Sequence, residues 1–471
     1  MNKAINFSSP KNRLLRLSSY AVVISISIMA VPVAAEPLVG TFDNTSKVIK
    51  LSEGADIFDA AIISFTDVDT SSVELEITKA ESESEEQAFN AEVTWEVDVG
   101  AQHIETNDRS ISTTDENTDA LVRTSVTLRK RLWDKAQGYS IDSARNNIRT
   151  AQINQLDSQQ VLIESVALAY LDYLSAKDLV ASSQKRNEQF LNLKNKITAM
   201  KKEGGAEEID LEVVDSSIET AQSSLLEEKT NLEKAKIKLR QLTYENDFHV
   251  NARQSYFTAK NDISLSAEDG LIDAAMKNNM ELLELYSGQV SLQKNILSKR
   301  AESGLKLDFR STISQEWLVG DTDQDTLDAS LGLNMQKSLY SGGRINNQVK
   351  LAKLELLRAE REINQKKREI ISDISTLSVE FSGAKSSYKS LLKMHQQLKK
   401  RVAIINADIA SDKSENLDVF DVLDEEVELN NSIIRLYYGL LKTKVEVMKL
   451  TGDLNVTDLN QLRALLMMKR I

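Results

Sequence analysis

Two periodicities alternate along this chain, and each occurs twice. From about 139 to 202, and again from about 345 to 410, apolar residues recur at three- and four-residue intervals, the spacing of a single stripe on a long helix. Each stretch ends in a break, Gly204-Gly205 in one case and the polar run 411–416 in the other, and a second helical stretch then returns to Leu242 or Leu450. In the return segments Leu232, Ala235, Leu239 and Leu242 are spaced three, four and three, and Leu440, Thr443, Val447 and Leu450 repeat that spacing 208 residues on. This is the register of coiled-coil packing, so each pair of stretches predicts a long antiparallel hairpin. At ~1.5 Å per residue the longer arms span about 100 Å.

Ahead of each hairpin the pattern changes to strict alternation, the mark of a strand with two unlike faces. Val93, Trp95 and Val97 alternate with Thr94, Glu96 and Asp98, and Val126 and Leu128 with Ser125, Thr127 and Arg129. In the second half Leu307, Phe309 and Trp317 are interleaved with Asp308, Arg310 and Glu316, and Leu331 and Leu333 with Gly332 and Asn334. The predicted strands are about 91–104, 121–131, 305–318 and 327–339, joined by acidic, polar loops over 105–119 and 319–326. A helix over about 266–302 precedes the second pair.

The halves also share local sequence. Ser175-Ala176-Lys177 recurs as Gly383-Ala384-Lys385, Tyr173 as Phe381 and Leu242-Thr243 as Leu450-Thr451, all at the same offset, and Val213-Val214-Asp215 aligns with Val419-Phe420-Asp421 after a small length change. An internal duplication follows, with a first repeat over 36–250, a second over 251–454 and a short tail over 455–471.

Composition fits uninterrupted helix. Only three prolines occur and none follows Pro37, while aromatic residues make up 5% of the chain. With no cysteine there is neither a disulfide, nor a thiolate metal site, nor an N-terminal lipid-anchor cysteine. Residues 1–35 carry Lys3, Lys11, Arg13 and Arg16 without an acid, then an apolar run over 20–33 closing on small residues, the pattern of a secretory signal peptide cleaved after Ala35. Its removal takes the net charge from −13 to −17, which argues against a nucleic-acid partner. His103, His249 and His395 are isolated, and no nucleophile elbow, phosphate loop or cofactor motif occurs, so neither enzyme activity nor a cofactor is expected. The acidic run 81–86 reads as a solvated helix face or linker.

Strands of about ten residues with one apolar and one charged face suit a membrane barrel, with lipid outside and water within. On this reading Val93, Trp95, Val97, Val126, Leu128, Leu307, Phe309, Trp317, Leu331 and Leu333 face lipid. Open sheet edges are not tolerated in lipid and the smallest barrels have about eight strands, so four per chain require further copies of the chain. The alternative is a soluble periplasmic coiled-coil or adaptor protein without a pore.

Several motifs resemble the TolC family of outer-membrane efflux and secretion channels. Leu339-Tyr340-Ser341-Gly342-Gly343-Arg344 resembles that family's aromatic and double-glycine turn from strand to helix, with Leu132-Trp133-Asp134-Lys135 as its counterpart in the first half. Asn278-Asn279-Met280-Glu281-Leu282 resembles the family's helix opening, with Met280 where proline is usual, and Val419-Phe420-Asp421-Val422-Leu423-Asp424 its segment beside the periplasmic tip. Where the family commonly places proline between helix and barrel, this chain has Ser303-Gly304. The resemblance implies a mainly α fold with a small β part: a homotrimer whose chains each give four strands to a twelve-stranded barrel above a coiled-coil tunnel. It also implies a periplasmic adaptor (membrane fusion protein) and an inner-membrane transporter as partners, met at the hairpin tips Gly204, Gly205, Ser411 and Asp412. Asp421 and Asp424, three apart on one helix face, would then form acidic rings at the periplasmic gate and select cations. Whether the cargo is a secreted protein or a small toxic molecule stays open.

Overall fold

The computed structural model describes residues 70–108, 113–203, 207–243, 263–320, 324–410 and 416–454. The expected leader 1–35, the hairpin tips Gly204, Gly205, Ser411 and Asp412, and the tail 455–471 lie outside these residues. The elements run in the order α1 (Thr70–Gln87), β1 (Ala91–Asp108), β2 (Thr113–Asp134), α2 (Lys135–Lys202), α3 (Glu208–Thr243), α4 (Glu268–Asn278), α5 (Met280–Ala301), β3 (Leu305–Gly320), β4 (Gln324–Lys337), α6 (Arg344–Ala410) and α7 (Asn416–Leu450).

The two long helices hold 68 and 67 residues, a length that an interior proline would interrupt. Helices α2 and α3 form one hairpin, α6 and α7 the other, and α2 also packs against α7. Where these helices meet, Val166, Leu171 and Leu174 of α2 pack with Ile433, Ile434, Leu440 and Leu441 of α7, each at most 1% exposed. Nearer the tip of the first hairpin Phe190, Leu193 and Ile197 close on Val214, Ile218 and Ala221. The predicted heptad positions Leu239, Leu440 and Val447 are buried.

Helix α5 seats on α2 through small polar side chains instead of a leucine seam. Ser287, Ser291 and Ser298 are buried and bond to Ser140, Ser143, Asn146 and Thr150, so every hydroxyl taken from water on this seam finds a partner.

The sheet order is β1-β2-β3-β4 with every pair antiparallel. The strands run past expectation at their loop ends, β3 to Gly320 and β4 from Gln324 within the loop expected over 319–326, while β4 stops at Lys337, short of the expected 339. Positions 105–108 and 113–119, expected as loop, continue the β1–β2 ladder down to the pair Asp108 and Thr113, because backbone pairing in register does not depend on apolar side chains. The helix expected over 266–302 is two helices. Asn279 leaves the helical region (ψ 123°), its side chain accepts from the Leu282 N–H at 3.0 Å to cap α5, and its amide donates to the Leu450 carbonyl. The acidic run 81–86 lies on α1, where Glu86 pairs with Arg145.

The two strand-to-helix junctions are built differently. Strand β2 runs straight into α2 past an irregularity between Arg131 and Trp133, and Asp134 caps the helix by accepting from the N–H groups of Ala136 and Gln137. After β4 the chain needs the turn 338–343, in which Gly342 (φ 61°) and Gly343 (φ 83°) adopt left-handed backbone.

Candidate functional site

The register sorts the sheet into two faces. Val93 pairs with Leu128, Trp95 with Val126, Val126 with Ile313, and Phe309 with Leu333, so all ten residues expected to meet lipid share one face. That face is bare in the single chain: Trp95 is 73% exposed and Leu331 75%. Leu339 and Tyr340, in the turn after β4, are 90% and 88% exposed. A contiguous apolar surface of this size calls for another apolar phase against it. The opposite face is charged and hydroxylated; Arg123 donates to Glu316 (2.8 Å from Nε), Arg129 to Asp308 (3.0 Å), and Thr127 bonds to Thr312 (3.1 Å). Among the described residues no helix is long and apolar enough to cross a membrane and no cluster of potential metal ligands occurs.

A second group of residues ties the two hairpins together along α2 and α7. Lys442 pairs with Asp172, the Tyr438 hydroxyl donates to Asp178 (2.6 Å), Lys185 lies 3.5 Å from Glu426, and Arg186 meets Asp424 (2.7 Å). Positions rise on α2 as they fall on α7, so the ties follow the antiparallel crossing toward the tips. Asp424, expected as a ring acid, is half-exposed and held by Arg186, itself only 9% exposed and stacked on the Phe190 ring. Asp421 lies on α7 one turn nearer the tip, and its side chain is outside the described residues. Nothing in the sequence marks Arg186: it is one cation among many until the register of α2 on α7 places it opposite Asp424.

A third group sits where four helices meet. Glu281, at the start of α5, pairs with Lys366 of α6 and Lys449 of α7 (2.9 Å). Burial pushes the Glu281 carboxyl up, but the two lysine hydrogen bonds outweigh it and hold the pKa below the ordinary value. On α2, Asp157 faces both lysines and Glu164 faces Lys449, neither with a hydrogen bond from them, and burial pushes both carboxyls up. An acid with a raised folded pKa carries more protons folded than unfolded, so stability falls as pH rises through that window. Asp157→Asn with Glu164→Gln is therefore expected to raise the melting temperature at pH 7.5 and to flatten its decline as pH rises above the ordinary carboxylate range in circular-dichroism melts. Glu281 acts with the opposite sign: its contribution is present above its unfolded value and lost as pH falls through its depressed pKa.

Comparisons agree with this geometry. Residues 271–453 match the family described as outer membrane efflux protein. The chain is 22% identical to outer membrane protein TolC of Escherichia coli (strain K12) over 352 residues, 71% of this chain and 70% of that protein. The Campylobacter jejuni CmeC outer membrane channel superposes with a TM-score of 0.69 at 14% identity, covering 87% of this chain and 88% of that one. The open state of the Neisseria gonorrhoeae MtrE outer membrane channel gives a TM-score of 0.64 at 12% identity, covering 84% and 88%. The fold, a small antiparallel sheet joined to twin helical hairpins, is thus shared with solved outer-membrane channels, and over residues 271–453 the chain matches the outer membrane efflux protein family, with TolC among its relatives in sequence.

Proposed function

We propose that three copies of this chain form the outer-membrane exit duct of a tripartite export system, taking cargo from an inner-membrane transporter and its periplasmic adaptor to the cell exterior. The observation that carries the reading is the sheet itself. β1 and β4 are both open edges, the apolar face is uncovered, and its apolar run from Leu327 to Met335 would cover about 20 Å once strands tilt as barrel strands do. Twelve strands from three copies remove the edges and put every exposed apolar side chain in lipid. The partners, the adaptor and the transporter, engage the hairpin tips at Gly204, Gly205, Ser411 and Asp412. Opening is a separation of α7 from α2 at that end.

Asp421 and Asp424 supply the gate's negative charge. Because Asp424 already pairs with Arg186, its own share of that charge is partly compensated. The test is single-channel recording of detergent-extracted protein in planar bilayers with native mass measured in parallel. Trimers with cation-selective conductance are expected, and Asp421→Ala with Asp424→Ala is expected to weaken that selectivity. A water-soluble species without conductance would return the chain to a periplasmic coiled-coil protein.

A further inference from the structure

The polar face of the sheet carries its charges in an order that the register makes visible. Nearest the helices, Arg129, Arg131, Lys306 and Arg310 stand against Glu92, Asp134 and Asp308, with Arg131 and Lys306 within 3.7 Å and 3.3 Å of Asp134. Next comes a tier of hydroxyls alone, formed by the paired positions Thr94, Thr127, Thr312 and Ser330. Beyond it, toward the strand ends away from the helices, and among the positions whose side chains are described, Glu96, Asp98, Glu316 and Asp328 stand against Arg123 only. Per chain this is one excess positive charge on the helix side and three excess negative charges on the far side. The order is complete on β3 alone, where Lys306 and Arg310 outnumber Asp308 before Thr312 and Glu316 lies beyond it; elsewhere it is divided between strands, with Arg129 and Arg131 on β2 and the outer acids on β1 and β4.

We propose that the lumen of the barrel is electrically polarised, weakly basic at the helix end and strongly acidic at the outer mouth, so that it rejects anionic solutes arriving from outside and passes ionic current unequally in the two directions. This rests on the trimeric duct proposed above. Three copies place nine excess negative charges in the outer zone. Twelve tilted strands at the usual spacing give a wall about 12 Å from the axis. Side chains reaching inward leave their charges within roughly one Debye length, ~8 Å at physiological salt, of any solute on that axis. The zones do not cancel each other, because Glu96 and Asp328 stand level with Ser314, four positions or about 13 Å along β3 from Arg310, more than one such length. Nor are they cancelled internally: Arg123 is taken up by Glu316, while Glu96 and Arg310 form no ion pair among the described residues.

The sign of the asymmetry follows from the order of the zones. When the outer side is positive, cations are driven from the acidic zone toward the basic one and anions from the basic zone toward the acidic one, so carriers accumulate between them and current rises. The opposite polarity drains that region. Protein added to one side of a planar bilayer inserts barrel first and leaves its helical body on the side of addition, so the orientation is known. The current is expected to be roughly twofold larger with the outer side positive in dilute salt and to become symmetric at 1 M salt. Glu96→Gln with Asp328→Asn should bring the ratio close to one, while Ser330→Ala, in the hydroxyl tier, should leave it unchanged; native mass checks that each variant assembles. Equal currents in the parent at both polarities, or an asymmetry that survives in Glu96→Gln with Asp328→Asn, overturns this inference and leaves the duct standing. Absence of conductance overturns the duct and this inference with it.

Discussion

Gly452→Ala is expected to be the most damaging single-methyl change in the described part of this chain. Helix α7 ends in a Schellman turn: the Gly452 N–H donates to the Lys449 carbonyl and the Asp453 N–H to that of Met448, which sets Gly452 at φ 70°. A side chain there carries the ordinary left-handed penalty of about 1–2 kcal/mol. It also drives a Cβ into the Asn278 carbonyl, 2.8 Å from its carbon, at the break between α4 and α5. Neither segment can retreat, because the Asn279 amide is bonded to the Leu450 carbonyl and that of Gln160 to Gly452 itself. The combined cost is expected to exceed about 3 kcal/mol. Gly343→Ala is the matched control, with φ 83° but open space around the added carbon, and it should cost only about 1 kcal/mol. Thermal melts of both variants decide the point. Similar losses would mean that the α7 end is free to shift and is not a fixed joint.

The second large effect is expected at Arg186. Its guanidinium is nearly buried, reaches Asp424 through two nitrogens and lies 3.8 Å from Glu428 through the third. Truncation to alanine removes this tie and exposes the Phe190 ring. Asp424 is almost half-exposed and can turn to water, so the stability loss should be about 1–2 kcal/mol, well below that of a fully buried pair. The functional change should be larger than the structural one. With the α2–α7 tie next to the tips gone, the closed arrangement is less favoured, and mean conductance should rise several-fold. Arg186→Lys, which keeps the charge but loses the two-pronged geometry, should fall between. A double-mutant cycle with Asp424→Ala separates the pair from its surroundings: if Arg186→Ala and Asp424→Ala add without coupling and conductance stays at the parent value, the tie does not hold the gate.

Much of the architecture was legible because it rests on repetition. A stripe of period 3.6 over sixty residues without proline has one solution, and alternation with one apolar face has few. Both patterns recur at a fixed offset, so each half corroborates the other. That the ten apolar strand residues share one face was legible for the same reason: parity along a strand decides the face. Extended pairing over 105–108 and 113–119 was not legible, since that stretch is polar on both faces and its pairing is set by backbone groups continuing the register below. The break at Asn279 was foreshadowed by a helix-opening motif without proline, yet its cause lies elsewhere in the chain, in the Leu450 carbonyl that its side chain bonds.

By itself the sequence determined the periodicities, the duplication, the division of each strand into two faces and the absence of cysteine chemistry, because these depend only on residues near one another in the chain. Tertiary structure decided what is paired across it. Arg186 became a tie only when α2 was laid against α7, Gly452 became irreplaceable only when α7 ended on Asn278, and the polar-face charges acquired an order only when β1 to β4 were aligned. Each of these depends on contacts between residues on different elements of the chain, and such a contact is fixed by packing and register, which no local pattern contains.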